Sequence, residues 1–309
     1  MKPAFSNLMK ALQAGEFVFT GELEPEKSTE IEDVLQEARE LKAHTIACNV
    51  TDNPASYGYM SSLAASHMIQ QATGVEVIYQ LRCSDRNRLA LFSDLLGAAS
   101  FGIKNILALT GDYVGLGDFP NAMPVFDYDS SHLTHMIRTM VDKQEDPNGN
   151  KIHGAPPEFN VGVAANPGAD PIEPEVLKIG RKKEAGADFI QTQVVYDIDA
   201  TKEFLRGLQP YKLPVLVGIF PMRSYGVAKG FDMFVPGVSV PKDLMAQFKA
   251  VKKNITDKQE QRDAYDRLNL EYFAPIAKEL RDSGLCAGMH IMSVHYTRIT
   301  PKLLAALSQ

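Results

Sequence analysis

The chain has 309 residues, 45% hydrophobic and 23% charged, which is ordinary globular material and enough to bury one sizeable core. A formal net charge of −6 argues against a nucleic-acid partner, which would need a basic face. No stretch reaches the roughly 18 to 20 uninterrupted apolar residues needed to span a membrane, and residues 1–13 lack a signal-type apolar core, so a cytoplasmic location is expected.

Apolar runs suited to buried strands fall at 16–23, 45–50, 75–81, 103–109, 159–165, 189–195, 213–219 and 289–294. Each is followed by a Gly- or Pro-bearing polar loop and then a segment with helical spacing. About eight strand–helix units in one chain of this length predict an α/β fold, a closed (β/α)8 TIM barrel over residues 1–309. Two segments break the rhythm. Residues 113–126 (YVGLGDFPNAMPVF) read as a ligand-covering loop at the carboxyl ends of the strands, and 142–158 as a surface loop at the opposite end. Residues 240–281 hold two helical stretches. In the second, Tyr265, Leu268, Tyr272, Ile276 and Leu280 form a stripe that reads as core, with an oligomer face as the alternative. Cys48, Cys83 and Cys286 include no C-x-x-C and read as buried structural thiols.

In such a barrel ligands sit at the carboxyl ends of the strands. Residues 105–112 (NILALTGD) place Asp112 there, and the other strand ends deliver Glu22, Glu24, Asn49, Thr51, Asp52, Gln80, Arg82, Thr110, Asn166, Gln193, His290, Ser293 and His295. Alternation along a strand puts Glu22 and Glu24 on one face. A carboxyl walled by apolar groups has a raised pKa and suits a general acid; a solvated surface charge is the other reading. His290 and His295 face opposite ways, and His132 with His135 lacks further ligands, so no metal site is expected. His290 reads as a core-facing support of the last strand.

Four motifs, in order, resemble the flavin-dependent methylenetetrahydrofolate reductase family over nearly the whole chain. They are FTGELEP at 19–25, LALTGD at 107–112, RKKEAGAD at 181–188 and QTQ at 191–193. The resemblance implies an oxidoreductase that uses FAD, with NADH as electron partner, to interconvert 5,10-methylenetetrahydrofolate and 5-methyltetrahydrofolate by ping-pong hydride transfer. It assigns Glu22 as the acid that protonates N10 and opens the ring to a 5-iminium cation, and Asp112 as the anion that stabilises it. Gln193, Phe231, Val294 and Tyr296 complete the substrate side. For FAD the resemblance points to Thr51, Gln80, Thr110, Gly111, Asp112, Asp129, Ser130, Asn166, Asp170, Glu175, Arg181 and Lys182. Ser130 at a helix start suits a diphosphate, although Asp129–Ser130 also reads as a simple N-cap and Arg181–Lys182 as an exposed helix face.

The chain departs from the family at several places. Leu23–Glu24 replaces aromatic residues, Gln80 a His, Val227 a Gln and Tyr296 an Arg, and Asn166 stands at an aromatic position. These changes suggest a divergent branch, one serving one-carbon catabolism, in which methyltetrahydrofolate oxidation is the useful direction; methionine biosynthesis is the pathway the family resemblance itself implies. A non-redox pterin-dependent methyltransferase barrel and a non-catalytic partner subunit are the alternatives. A homo-oligomer is compatible with the sequence.

Overall fold

The eight apolar runs all become strands, paired in parallel in chain order, and β1 closes on β8. In the computed structural model, which describes residues 2–235 and 238–307, they are β1 (Val18–Leu23), β2 (Ala47–Val50), β3 (Val77–Arg82), β4 (Asn105–Leu109), β5 (Asn160–Ala165), β6 (Phe189–Val194), β7 (Val215–Ile219) and β8 (Gly288–Ile291). A short helix, α1 (Asn7–Gln13), precedes β1. Strands β1 to β6 are each followed by one long helix: α2 (Glu32–Leu41), α3 (Ser62–Thr73), α4 (Arg88–Ser100), α5 (Ser130–Lys143), α6 (Glu173–Ala185) and α7 (Ile198–Leu208). Three helices follow β7, namely α8 (Tyr225–Phe234), α9 (Lys242–Asn254) and α10 (Lys258–Ser283), and α11 (Ile299–Leu307) follows β8. The last strand ends at Ile291, short of its apolar run, and the chain turns at His295, whose φ is +52°.

Side-chain alternation divides the core in two. Inward residues Val18, Ala47, Ile78, Leu107, Phe189 and Leu216 fill the amino-terminal end of the barrel, and Leu8, Met9 and Leu12 of α1 close it from below. Gly162 has no side chain for a packing reason: a Cβ there would lie 2.4 Å from the Phe189 ring. Outward residues pack on the helices in two clusters, one from β1 to β5 and one from β5 to β8. The stripe on α10 belongs to this core: Tyr265 and Leu280 are buried, and Leu268, Tyr272 and Ile276 pack beside them. Cys48, Cys83 and Cys286 are all free thiols, the first two buried and the third half-buried.

Both interrupting loops lie where their position between elements predicts. The 113–126 loop runs from β4 to α5 at the carboxyl end and exposes Tyr113, Leu116, Phe119 and Met123. The 142–158 segment lies at the other end, with an isolated bridge between Glu145 and Lys151. No helix among the described residues is long and apolar enough to cross a membrane.

Candidate functional site

Above the apolar floor the barrel interior turns polar. Register sets Thr20 beside both Ala47 and His290, and Glu22 beside Asn49. Asn49 and Gln191 exchange two amide hydrogen bonds, at 2.8 and 3.0 Å, and the Gln191 amide also reaches the Thr20 hydroxyl at 3.5 Å. The Thr20 hydroxyl lies 3.0 Å from His290 Nδ1, and His290 Nε2 lies 3.4 Å from Glu22 Oε2. Gln80 Nε2 donates to the same carboxylate oxygen at 3.4 Å. The tautomer that satisfies both contacts carries the His290 hydrogen on Nε2, donated to Glu22, while Nδ1 accepts from Thr20. Glu22 is thus held from two sides at the carboxyl end of β1. His290 does support the last strand, but it also orients the candidate acid.

Glu24 stands one alternation above Glu22. Pro25 favours extended backbone at the residue before it, and Glu24, just past the end of β1, is half-buried like Glu22. Burial, and then the neighbouring Glu22 charge, push the Glu24 carboxyl up to about 7. His295 is the nearest compensating group, yet both its ring nitrogens are engaged, Nε2 with Glu26 and Nδ1 with Glu37, each at 3.1 Å. The hydrogen bond that His295 donates to Glu37 raises the imidazole pKa against the opposing effect of burial.

Asp112 is exposed at the end of β4, and its Oδ2 accepts from the Ala55 backbone N–H at 3.0 Å. This bond secures a turn whose Asn53, Ala55 and Ser56 all have positive φ. Gly111, at φ +91°, leaves room for Ser84, which a Cβ would meet at 2.5 Å. Asp52 and Arg82, both strand-end candidates, are instead buried braces of that turn. Arg82 donates to Asn53 O, Ser56 Oγ and Asp85, and Asp52 accepts from Arg86 and from the Arg82 N–H. Burial raises the Asp52 pKa, opposed by Arg86.

The α5 N-terminus, expected to face a diphosphate, carries a side-chain cap of its own. Ser130 N–H donates to Thr110 Oγ1 at 3.1 Å, and His132 N–H to Asp129 Oδ1 at 2.9 Å, so the simple N-cap is what forms there. An anionic cap also opposes a second anion at the same helix end. Glu175 is buried and accepts from the Asn166 N–H at 3.0 Å, while Asn166 Oδ1 accepts from Gly168; both brace the β5–α6 loop. Lys182 turns inward to the Ala164 carbonyl at 2.6 Å, and burial lowers its pKa. Arg181 and Asp170 are exposed and stand apart from these contacts.

On the substrate side, Gln193 follows the irregular β6–β7 register and accepts from the Val194 N–H at 2.9 Å. Phe231 stacks on Phe220 at 3.9 Å and packs over Val194 and Met292, at the carboxyl ends of β6 and β8. Val294 is half-buried in the loop after β8. Tyr296, however, does not face the mouth. It is 2% exposed, donates its hydroxyl to the Asp266 carboxylate on α10, and accepts from Asn269 at 3.3 Å. A phenol that can satisfy its hydroxyl on a buried carboxylate is drawn to the core, whereas an arginine at this position was expected to reach ligand.

Sequence reading missed the Thr20–His290–Glu22 relay and the Asn49–Gln191 pair. The alternation of Thr20 and Glu22 was visible, but their partners depend on register between distant strands. Among the described residues no group of three or more His, Cys, Asp and Glu is placed to hold a metal ion.

A polar carboxylate relay inside a closed (β/α)8 barrel, opening among strand-end loops, defines a ligand-binding barrel of the enzyme type. The methylenetetrahydrofolate reductase family model matches residues 7–308, and the chain belongs to that family. Methylenetetrahydrofolate reductase 2 of Schizosaccharomyces pombe is 26% identical over 262 residues, covering 79% of this chain and 37% of that protein. The probable methylenetetrahydrofolate reductase (NADH) of Oryza sativa subsp. japonica is 27% identical over 257 residues, covering 80% of this chain and 42% of that protein. The chain therefore spans well under half the length of these relatives. It covers 58% of the 5,10-methylenetetrahydrofolate reductase of Buchnera aphidicola, at 25% identity over 193 residues and 60% of this chain. A Clostridium thermocellum protein described as binding two copies of 5-methyl-5,6,7,8-tetrahydrofolic acid shares the fold, with a TM-score of 0.65 and 15% identity over 97% of this chain and 98% of that one.

Proposed function

We propose that this chain is the flavin-dependent catalytic barrel of a methylenetetrahydrofolate reductase, interconverting 5,10-methylenetetrahydrofolate and 5-methyltetrahydrofolate with a nicotinamide nucleotide as electron partner. The observation that carries the reading is the Glu22 carboxylate, held by His290 and Gln80 at the carboxyl end of the barrel in a member of this family.

Glu22 would give its proton to N10 of the folate, which opens the imidazolidine ring to the iminium that accepts hydride. His290 fixes the orientation of that carboxyl through its Nε2 hydrogen. Asp112, pinned by the Ala55 N–H, presents a fixed anion to the cationic pterin, and Gln193 offers an amide to the pterin edge. Phe231 supplies an aromatic wall.

The residues fit FAD. Thr51 Oγ1 is buried without a hydrogen-bond partner, and Tyr113, Leu116 and Phe119 expose apolar surface on the loop after β4. Thr51, Gln80, Thr110, Gly111 and Lys182 would hold the cofactor. Bound there, FAD would supply the hydride carrier that folate and nicotinamide use in turn. The preference for methyltetrahydrofolate oxidation now rests on Val227 alone, since Tyr296 points into the core.

The test is reconstitution with FAD followed by anaerobic half-reactions with NADH, NADPH and 5-methyltetrahydrofolate. Flavin binding and reduction by the folate are expected. Glu22→Gln should keep FAD and reduction by the nicotinamide but slow the folate half-reaction by about 10²- to 10⁴-fold. A protein that takes up no FAD, or a Glu22→Gln variant with more than about a tenth of wild-type folate activity, refutes the reading.

A further inference from the structure

Five lysine and arginine side chains stand at the strand ends or in the loops that leave them: Lys27, Arg82, Arg86, Arg223 and Arg298. Four are committed to carboxylates. Lys27 pairs with Asp118, Arg82 with Asp85, Arg86 with Asp52 and Arg298 with Asp266. Among the described residues Arg223, in the loop from β7 to α8, enters no ion pair, and its one hydrogen bond runs from Nη1 to the His295 carbonyl at 3.5 Å. The side chain is exposed, yet the backbone that carries it is fixed on both sides. Asn269 of α10 accepts from the Met222 N–H at 2.7 Å and donates to the Met222 carbonyl at 2.9 Å, and Ser224 caps α8 by accepting from the Val227 N–H at 3.3 Å. A guanidinium with a fixed root and most of its N–H donors unengaged is a preorganised fork for a carboxylate.

We propose that Arg223 binds a carboxylate of the folate's glutamate tail and so selects folates by the charge of that tail, an inference that rests on the folate reading above. The direction of the ligand follows from its chemistry. Glu22 has to reach N10, and Asp112 and Gln193 the pterin, so the p-aminobenzoyl-glutamate that N10 carries runs outward to the rim. Phe231 offers its ring on that route, stacked on Phe220 and packed over Val194 and Met292. It follows the Ser224 cap by seven residues of α8, about 10 Å of helix at 1.5 Å per residue. A benzoyl-glutamate passing Phe231 and an outstretched arginine before Ser224 close that distance from opposite ends. The loop after β8 does not offer the charge, because Arg298 is turned to Asp266 and Tyr296 lies in the core. On the β1 side of the mouth, Glu24, Glu26 and Glu37 crowd together and repel an anionic tail, which leaves it the β7 loop.

The test is titration of the full chain, reconstituted with FAD, with 5-methyltetrahydrofolate and with its diamide, in which both tail carboxylates are carboxamides. Wild type should bind the folate about three- to tenfold more tightly than the diamide, the range of a well-oriented ion pair at a solvent-exposed rim. Arg223→Gln, which keeps a donor for the His295 carbonyl, should bind both ligands alike, at the wild-type affinity for the diamide. Its rate of flavin reduction at saturating folate should equal that of wild type. Arg223→Lys, a point charge without the fork, should keep part of the preference. An Arg223→Gln variant that still prefers the folate by the wild-type factor overturns the assignment, and so does an equal loss of affinity for both ligands, which marks a structural role. Reduction by NADH or NADPH impaired with folate binding intact gives the arginine to the nicotinamide phosphates and overturns it as well. Wild-type protein that binds folate and diamide equally removes the role of Arg223 and leaves the folate reading standing, whereas wild-type protein that binds neither removes both.

Discussion

Tyr296→Phe separates a ligand-facing tyrosine from a buried strut. The hydroxyl donates to Asp266, which also accepts from Arg298 at 3.0 Å and from Lys302 at 2.6 Å. Burial pushes the Asp266 carboxyl up, but the hydrogen bonds from Lys302, Tyr296 and Arg298 together hold it below its usual value. Removing the hydroxyl deletes one hydrogen bond to a charged group, worth about 1.5 to 3 kcal/mol. It leaves no new orphan, because Asn269 Nδ2 still donates to the Met222 and Tyr265 carbonyls and Asp266 keeps two cations. The lower end of that range is therefore expected. With an unfolding entropy of about 2.1 cal/mol/K per residue, 1.5 kcal/mol lowers Tm by roughly 2 to 3 °C in a chain of 309 residues. Folate affinity and nicotinamide reduction should not change. Because the folded pKa of Asp266 is depressed, its contribution is present above its unfolded pKa, about 3.9, and is lost as pH falls through the folded value. Thermal melts at pH 7, paired with folate titrations, decide the matter. An unchanged Tm with folate binding weakened tenfold would place the phenol in the ligand site and refute the strut.

Asp112→Asn keeps an acceptor for the Ala55 N–H but removes the charge, so the turn at 53–56 should survive while the folate half-reaction slows by about 10²- to 10³-fold; stopped-flow traces equal to wild type would remove Asp112 from the chemistry. Gly162→Ala drives a methyl against the Phe189 ring 2.4 Å away, and overpacking of this kind costs about 1 to 3 kcal/mol, read as a lower denaturation midpoint with unaltered ligand affinity. The raised pKa of His295 gives stability that is complete below its unfolded value, about 6.5, and declines as pH rises through the folded value. Tm should accordingly decrease from pH 6 to 8.5, and less steeply in His295→Gln; equal slopes would show that the Glu26–His295–Glu37 bridge contributes nothing.

The barrel was legible in the sequence because its causes are local. A strand buried on both faces must be continuously apolar, and Ile106, Leu107 and Ala108 in β4 or Val215, Leu216 and Val217 in β7 admit no other role. Strand ends were legible for the same reason, so Glu22, Asp112 and Gln193 were found where the apolar runs stop. Register, side-chain direction beyond the strands and competition for hydrogen bonds were not. His290 meets Glu22 only because β8 closes on β1 across the whole chain, and Tyr296 turns from the mouth because Asp266, thirty residues earlier on α10, captures its hydroxyl. The α5 N-terminus reads as an anion site until Thr110 and Asp129 take its N–H groups. Local chain chemistry determined which groups reach the carboxyl end of the barrel; the tertiary structure decided which of them remain available to a ligand, since a buried polar group is satisfied by whichever partner the closed fold brings to it.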